Sequence, residues 1–199
     1  MPKYLMGVDI GTSGTKSIIA DENGRVIASR TEEYPLYTPK PGWAEQRPED
    51  WWDAVVKSVR AIIAKAALPA KEIAGLSLSG QMHGLVALDK DMQVIRPAML
   101  WCDQRTQKQC DWITEKAGGL DELVKLTNNR MLTGYTGGKI LWLRDEEPEN
   151  FARMKVFINP KDYIRFKLTG EIGTDMSDAS GTGFFDVKSR RWSDRLIEI

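Results

Sequence analysis

The chain has 199 residues, 28 basic and 28 acidic side chains, and 42% hydrophobic residues. That length supports one or two domains with a proper core, and the balanced charge gives no reason to expect nucleic acid or an anionic membrane as partner. No apolar run approaches the roughly 20 residues of a membrane span. The N-terminus enters a strand without a charged leader and cleavage site. Cys102 and Cys110 make neither a disulfide framework nor a zinc site, so a cytoplasmic protein is the simplest reading.

From Leu5 to Asp21 the sequence reads L-M-G-V-D-I-G-T-S-G-T-K-S-I-I-A-D. A short apolar run ends at Asp9, and a second, Ser17 to Ala20, follows a Gly/Thr/Ser loop, which predicts two strands joined by that loop. Gly11 and Gly14 can take positive φ and, lacking Cβ, let backbone amides approach an anion closely. Thr12, Ser13 and Thr15 add hydroxyl donors, and Lys16 adds a positive charge. A P-loop would need G-x-x-x-x-G-K-[ST] opening a helix, whereas this loop returns into a strand. Asp9, at the strand end, suits holding hydrated Mg²⁺ beside a nucleotide's phosphates. A tight hairpin with a solvated Asp9 and no ligand stands beside that reading.

Asn23-Gly24 then predicts a type I′ hairpin turn, and a third strand from Arg25 to about Tyr34 completes an antiparallel meander. Pro35 to Gly42 is loop. Pro48 opens a helix with Glu49 and Asp50 in its first turn. Apolar residues at Trp51, Trp52, Val55, Val56, Val59, Ile62 and Ile63 carry that helix against the sheet until Pro69. Ile73 to Ser79 reads as a buried strand, followed by Gly80-Gln81-Met82-His83-Gly84. Leu85 to Leu88 is strand, Asp89-Lys90-Asp91 turns, and Val94 to Trp101 is a further strand with Pro97 at an edge or bulge. Asp103 caps a helix to about Lys116, which Gly118-Gly119 ends. Asp121 to Leu126 and Lys139 to Glu146 are further helices, the second with Trp142 as its inward anchor. Val156 to Ile158 is a short apolar piece, and Asn159-Pro160 caps a helix to Leu168. A meander, a crossover helix, more strands and then helices argue an α/β fold with a mixed sheet. A meander whose first turn binds phosphate is the plan of ribonuclease H-like (actin-like ATPase) domains.

The stretch Gly134-Tyr-Thr136-Gly-Gly-Lys139-Ile140-Leu-Trp142-Leu143-Arg-Asp145-Glu146 resembles the first signature of the FGGY carbohydrate kinases. V-D-I-G-T-S-G-T-K, Leu100-Trp101-Cys-Asp103-Gln-Arg105, Pro160-Lys161-Asp162-Tyr163 and Thr174-Asp175-Met-Ser177-Asp178-Ala179-Ser180-Gly181-Thr182 resemble the family too, so the likeness covers nearly the whole chain. Gly80-Gln81-Met82-His83-Gly84 and Met176-Ser177-Asp178-Ala179 are most similar to members that phosphorylate D-xylulose with ATP. The resemblance implies a sugar beside Gln81, Met82 and His83, with Trp101 and Asp103 nearby, and ATP with Mg²⁺ at the Asp9 loop. Sugar and ATP are then the partners, with a homodimer left open.

The chemistry of those residues is compatible. His83 can bond sugar hydroxyls through either ring nitrogen, Met82 offers an adaptable apolar wall, and Trp101 offers a flat face for C–H groups. Other readings remain. A lone His after a strand serves equally as a hydrogen-bonded loop residue, Asp103 as a helix cap only, Lys139 as a solvated helix lysine without chemistry, and Asp175 to Thr182 as a polar turn. In the family the carboxylate that accepts the sugar proton lies beyond the first signature, and no position here matches that motif. Trp192 to Ile199 resembles a helix barely begun, so residues 1–199 read as the N-terminal part of a longer enzyme. A kinase for another ketose or polyol, or a non-catalytic sugar-binding module, are the alternatives.

Overall fold

A computed structural model describes residues 4–199; the expectation about the first residues of the chain lies partly outside that range. β1 (Tyr4–Ile10), β2 (Gly14–Asp21) and β3 (Val26–Glu33) form the expected antiparallel meander. β5 (Ile73–Gly80) joins β1 on its other side in parallel, giving a mixed sheet of order β3-β2-β1-β5. Between them come the two-residue strand β4 (Glu45–Gln46) and helix α1 (Pro48–Ala66). Pro at the start and Glu49 and Asp50 in the first turn of α1 match the geometry and dipole of a helix N-terminus. The helix stops at Ala66, three residues short of Pro69, where Ala67 turns left-handed at φ 51°. Its buried side chains Trp51, Val55 and Ile62 pack with Met6, Val8, Ile10 and Ile19 from one face of the sheet.

Strand alternation places Thr15, Ser17 and Ile19 on that same buried face, and Ser17 Oγ meets Ser58 Oγ of α1 at 2.7 Å. The opposite face carries Asp9 and Lys16, which are cross-strand partners, and Ser79, the β5 partner of Asp9; all three are exposed. β5 departs from expectation here. Its apolar run predicts burial, yet most of its residues are exposed, because it pairs only with β1 and forms the sheet edge. The Asn23-Gly24 turn also differs. Only Gly24 has positive φ (79°), so the turn is not type I′. Instead Asp21 Oδ1 accepts the amides of Asn23 and Arg25 at 2.9 Å each, an Asx turn that specifies the reversal.

β6 (Val86–Leu88) pairs with β8 (Val156–Ile158), and β7 (Ala98–Met99) pairs with β4. The expected strand from Val94 to Trp101 thus shrinks to two residues, the rest running as loop past Pro97. The helices α2 (Gln107–Lys116), α3 (Leu120–Thr127), α4 (Thr136–Glu146) and α5 (Pro148–Arg153) follow, with β8 between α5 and α6 (Pro160–Thr169). Then come α7 (Met176–Ser180), the hairpin β9 (Phe185–Asp186) and β10 (Arg191–Trp192), and α8 (Asp194–Ile197). Trp142 is the inward anchor of α4 as expected, 5.5 Å edge-on from Trp43. No helix of the described residues is long and apolar enough to cross a membrane.

Candidate functional site

The loops leaving β1 and β5 meet at one end of the sheet, where the Gly11–Ser13 turn lies against the Gln81–Gly84 segment. Gln81 continues the parallel pairing by donating its amide to Ile10 O at 2.7 Å. The buried Gln81 side chain accepts from Thr12 Oγ1 at 3.2 Å and donates to Gln46 Oε1 at 3.0 Å. Gln46, fully buried, in turn donates to Thr12 O at 2.7 Å and accepts from Trp51 Nε1 at 3.0 Å. Two glutamine amides and one indole therefore fasten the loop to α1 and to the sheet. Gln46 was not a sequence candidate; it lies in a two-residue strand with no motif around it.

Within that loop the expected donors divide. The amides of Thr12 and Ser13 have no protein acceptor among the described residues, and the Ser13 side chain is exposed. Thr15 is corrected: its hydroxyl is fully buried on the α1 side and cannot reach a ligand at the loop. Neither Gly11 nor Gly14 uses the positive φ open to glycine. Gly14 is required for closeness instead, as a Cβ there would sit 2.6 Å from Glu32 O of β3. Asp9 and Lys16 flank the loop on the open face.

The sugar-side candidates come from three segments. Trp101, 47% exposed, donates its indole N–H to Thr12 Oγ1 at 2.9 Å, so it stands directly over the Gly11–Ser13 loop. Asp103 is corrected on both counts. It is fully buried, and α2 begins at Gln107 with Thr106 before it, so Asp103 caps no helix. Its oxygens accept from Ala44 N at 2.7 Å and from Arg105 Nε and Nη2 at 2.9 and 2.6 Å. Arg105 is sandwiched over Trp43 (3.5 Å) and Trp142 (4.9 Å) and also meets Glu45 at 2.8 Å. Asp103 therefore fixes the loop that carries Trp101, and presents no oxygen to solvent.

His83 has φ 68°, and the amide of Gly84 bonds Met82 O at 2.9 Å, so His83 is the centre of a γ-turn of the rare positive-φ kind. Its Nδ1 lies 3.0 Å from Gly181 O. A carbonyl can only accept, so Nδ1 carries the proton and the neutral ring keeps Nε2 as an acceptor. The two ring nitrogens are thus not equivalent for a ligand; only Nε2 is free. Burial holds the His83 pKa below its ordinary value, the Gly181 bond opposes this, and the nearby Lys139 charge adds to it. The ring stacks on Tyr135 at 4.9 Å, and Met82 Cε lies beside Gly181. Asn159, at the N-cap position of α6, does not cap it; its Nδ2 donates to Gly84 O at 2.9 Å and so tethers the same turn.

Lys139 differs most from expectation. It is fully buried rather than solvated, and its Nζ donates to the carbonyls of His83 (3.2 Å), Tyr135 (3.0 Å) and Gly134. Burial pulls its pKa down to about 7, with the Asp103 carboxylate opposing. Asp175 to Thr182 is more than a polar turn. Asp175 caps α7 through the amides of Ser177 and Asp178, and Gly181 supplies the partner of His83. Lys161 Nζ meets Asp162, Asp175 and Asp178 at 2.6, 2.8 and 3.2 Å. Burial disfavours its charge, but these carboxylates raise its pKa overall, so an ammonium already occupies the centre of that acidic cluster.

The profile of the FGGY family of carbohydrate kinases, N-terminal domain, matches residues 4–199. A xylulose kinase of Bacillus subtilis (strain 168) is 46% identical over 98% of this chain and 38% of its own length. A crystal structure of a xyloylose kinase from Brucella ovis superposes with a TM-score of 0.91 at 36% identity, over 98% of this chain and 40% of that one. A gluconate kinase structure from Lactobacillus acidophilus superposes with a TM-score of 0.87 at 33% identity, over 98% of this chain and 39% of that one. The chain thus spans about two fifths of the length of the proteins it matches.

Proposed function

Because the chain belongs to the FGGY family of carbohydrate kinases, we propose that it supplies the sugar site and part of the phosphate site of an ATP-dependent kinase for a ketopentose, D-xylulose before others. The observation that carries this reading is the hydrogen-bond chain from Trp101 Nε1 to Thr12 Oγ1 to Gln81 Oε1. It joins the sugar-side residues to the phosphate-side loop, so a hydroxyl held at Met82, His83 and Trp101 lies next to amides suited to a transferring phosphoryl group. Phosphoryl transfer depends on positioning and on stabilising charge over the phosphoryl oxygens, with little covalent work for the protein. Here the free amides of Thr12 and Ser13 and the Lys16 ammonium serve the second purpose. His83 Nε2, as an acceptor, orients a sugar hydroxyl, and Trp101 covers C–H groups of the sugar.

Asp9 is an exposed carboxylate at the strand end beside the loop, which suits a hydrated Mg²⁺. When bound, the ion would neutralise phosphate charge. The carboxylate of Asp103 is buried and engaged with Arg105, and those of Asp162, Asp175 and Asp178 are all engaged with Lys161. We therefore place the proton acceptor for the sugar hydroxyl outside residues 1–199. The two unbridged cysteines suit a reducing, cytosolic setting.

A second reading, a kinase for another polyhydroxy substrate, is favoured by the gluconate kinase likeness. A sugar panel with coupled ADP detection on the full-length protein separates the two: xylulose preference is expected, and xylulose left unused while gluconate or glycerol is consumed overturns the substrate assignment. The 199-residue polypeptide alone is expected to bind sugar and release no ADP. Sugar-dependent release at full-length rates would reveal a proton acceptor within it.

A further inference from the structure

The γ-turn at His83 holds an unfavourable backbone conformation, and such conformations persist only where surrounding contacts over-determine them. Four contacts do so here. Gly181 O receives the ring, Asn159 holds Gly84 O, and the His83 carbonyl itself takes two donors, Thr136 Oγ1 at 3.1 Å and Lys139 Nζ at 3.2 Å. Lys139 and Thr136 lie on the first turn of α4, so one helix face grips the turn's central carbonyl.

We propose that Lys139 is a positioning residue for sugar recognition: its ammonium pins the His83 carbonyl and so fixes the γ-turn that aims the imidazole. The sugar part of this proposal rests on the kinase reading above. Three carbonyls, from His83, Gly134 and Tyr135, converge on one buried point, and an ammonium is the side-chain group with three N–H donors on a single atom. A site that required packing alone would be filled at lower cost by methionine or leucine, since burying a charge is expensive and apolar replacements of buried ions are often neutral or stabilising. What an apolar side chain cannot do is hold three carbonyl oxygens from two separate segments in one arrangement. Gly134 and Tyr135 precede α4, and Gly134 packs so closely on Trp101 that a Cβ would lie 2.8 Å from Trp101 O. Lys139 therefore ties His83, the Tyr135 ring stacked on it, and the Trp101 backbone into one unit.

The test is Lys139→Met, which keeps most of the side chain's length and removes the donors. His83 is the only histidine of these 199 residues, and ¹⁵N-histidine labelling, with His83→Gln to identify its signal, reports its tautomer. The wild type is expected to carry its proton on Nδ1, and Lys139→Met to lose that preference and populate Nε2–H. In the full-length protein the KM for sugar is expected to rise roughly tenfold in Lys139→Met, the scale of one lost hydrogen bond to a charged group, with the KM for ATP within about twofold. Ile62→Ala, a cavity on α1 in a cluster that contains neither His83 nor Tyr135, controls for general destabilisation and is expected to leave the tautomer and the sugar KM unchanged. Should Lys139→Met fail to fold, Thr136→Val removes the other donor to the same carbonyl and is expected to shift the tautomer in the same sense. A wild-type tautomer in whichever variant folds, or an equal change in Ile62→Ala, overturns the proposal. The imidazole signal needs no sugar, so a wild-type protein that phosphorylated no sugar would overturn the kinase reading and the recognition half of this proposal, while the tautomer would still decide whether Lys139 sets His83.

Discussion

Replacing Gln46 with leucine isolates the network that fastens the Gly11–Ser13 loop. The substitution keeps the volume close to that of glutamine and leaves Trp51 Nε1, whose residue is fully buried, without the acceptor it holds at 3.0 Å. An orphaned buried donor costs about 1–3 kcal/mol. The bonds from Gln46 to Thr12 O (2.7 Å) and from Gln81 to Gln46 (3.0 Å) are also lost, each with a net contribution of about 0.5–1.5 kcal/mol. Gln81 keeps its weaker contact to Gly11 O at 3.4 Å, so its amide is not fully orphaned. Together these losses come to about 4 kcal/mol, or a fall in thermal midpoint of roughly 8–16 °C for a chain of this size. Urea unfolding of Gln46→Leu against wild type measures the first quantity. Hydrogen exchange at the Gly11 amide, bonded to Gly14 O at 3.1 Å, reports whether the loop itself has loosened. A stability loss under about 1 kcal/mol together with unchanged exchange would refute the claim that Gln46 holds this loop.

Two further tests address the sugar side. Gly181→Ala would put a Cβ 2.2 Å from His83 Nδ1 while leaving a backbone (φ −75°) that alanine adopts freely; displacing the ring should raise the sugar KM about tenfold through one lost hydrogen bond and weakened stacking, and an unchanged KM would show that the ring does not face the sugar. Because the folded His83 pKa lies below the ordinary 6.5, its contribution to stability is full above pH 6.5 and is lost as pH falls from there through the folded value, so His83→Gln should flatten the acid side of the stability profile, and an imidazole titrating above 6.5 by NMR would refute the assignment.

Local pattern alone determined the meander, the start and buried face of α1, the glycine stop after α2 and the anchoring of Trp142. Strand alternation, helical spacing and turn chemistry act over a few residues, and the chain carries them openly at Leu5–Asp21 and Trp51–Ile63. The family motifs likewise indicated which segments would gather at the end of the sheet. Tertiary structure alone decided what the side chains do there. Gln46 meets Gln81 across 35 residues, Thr12 meets Trp101 across 89, and His83 meets Gly181 across 98; no local pattern encodes such partners. For the same reason Lys139 and Asp103 read as a surface lysine and a helix cap, although each is buried among acceptors or donors brought by distant segments. β5 shows the converse. Its apolar run fits a central strand, but exposure depends on how many neighbours pair with it, and β1 is its only partner in the sheet.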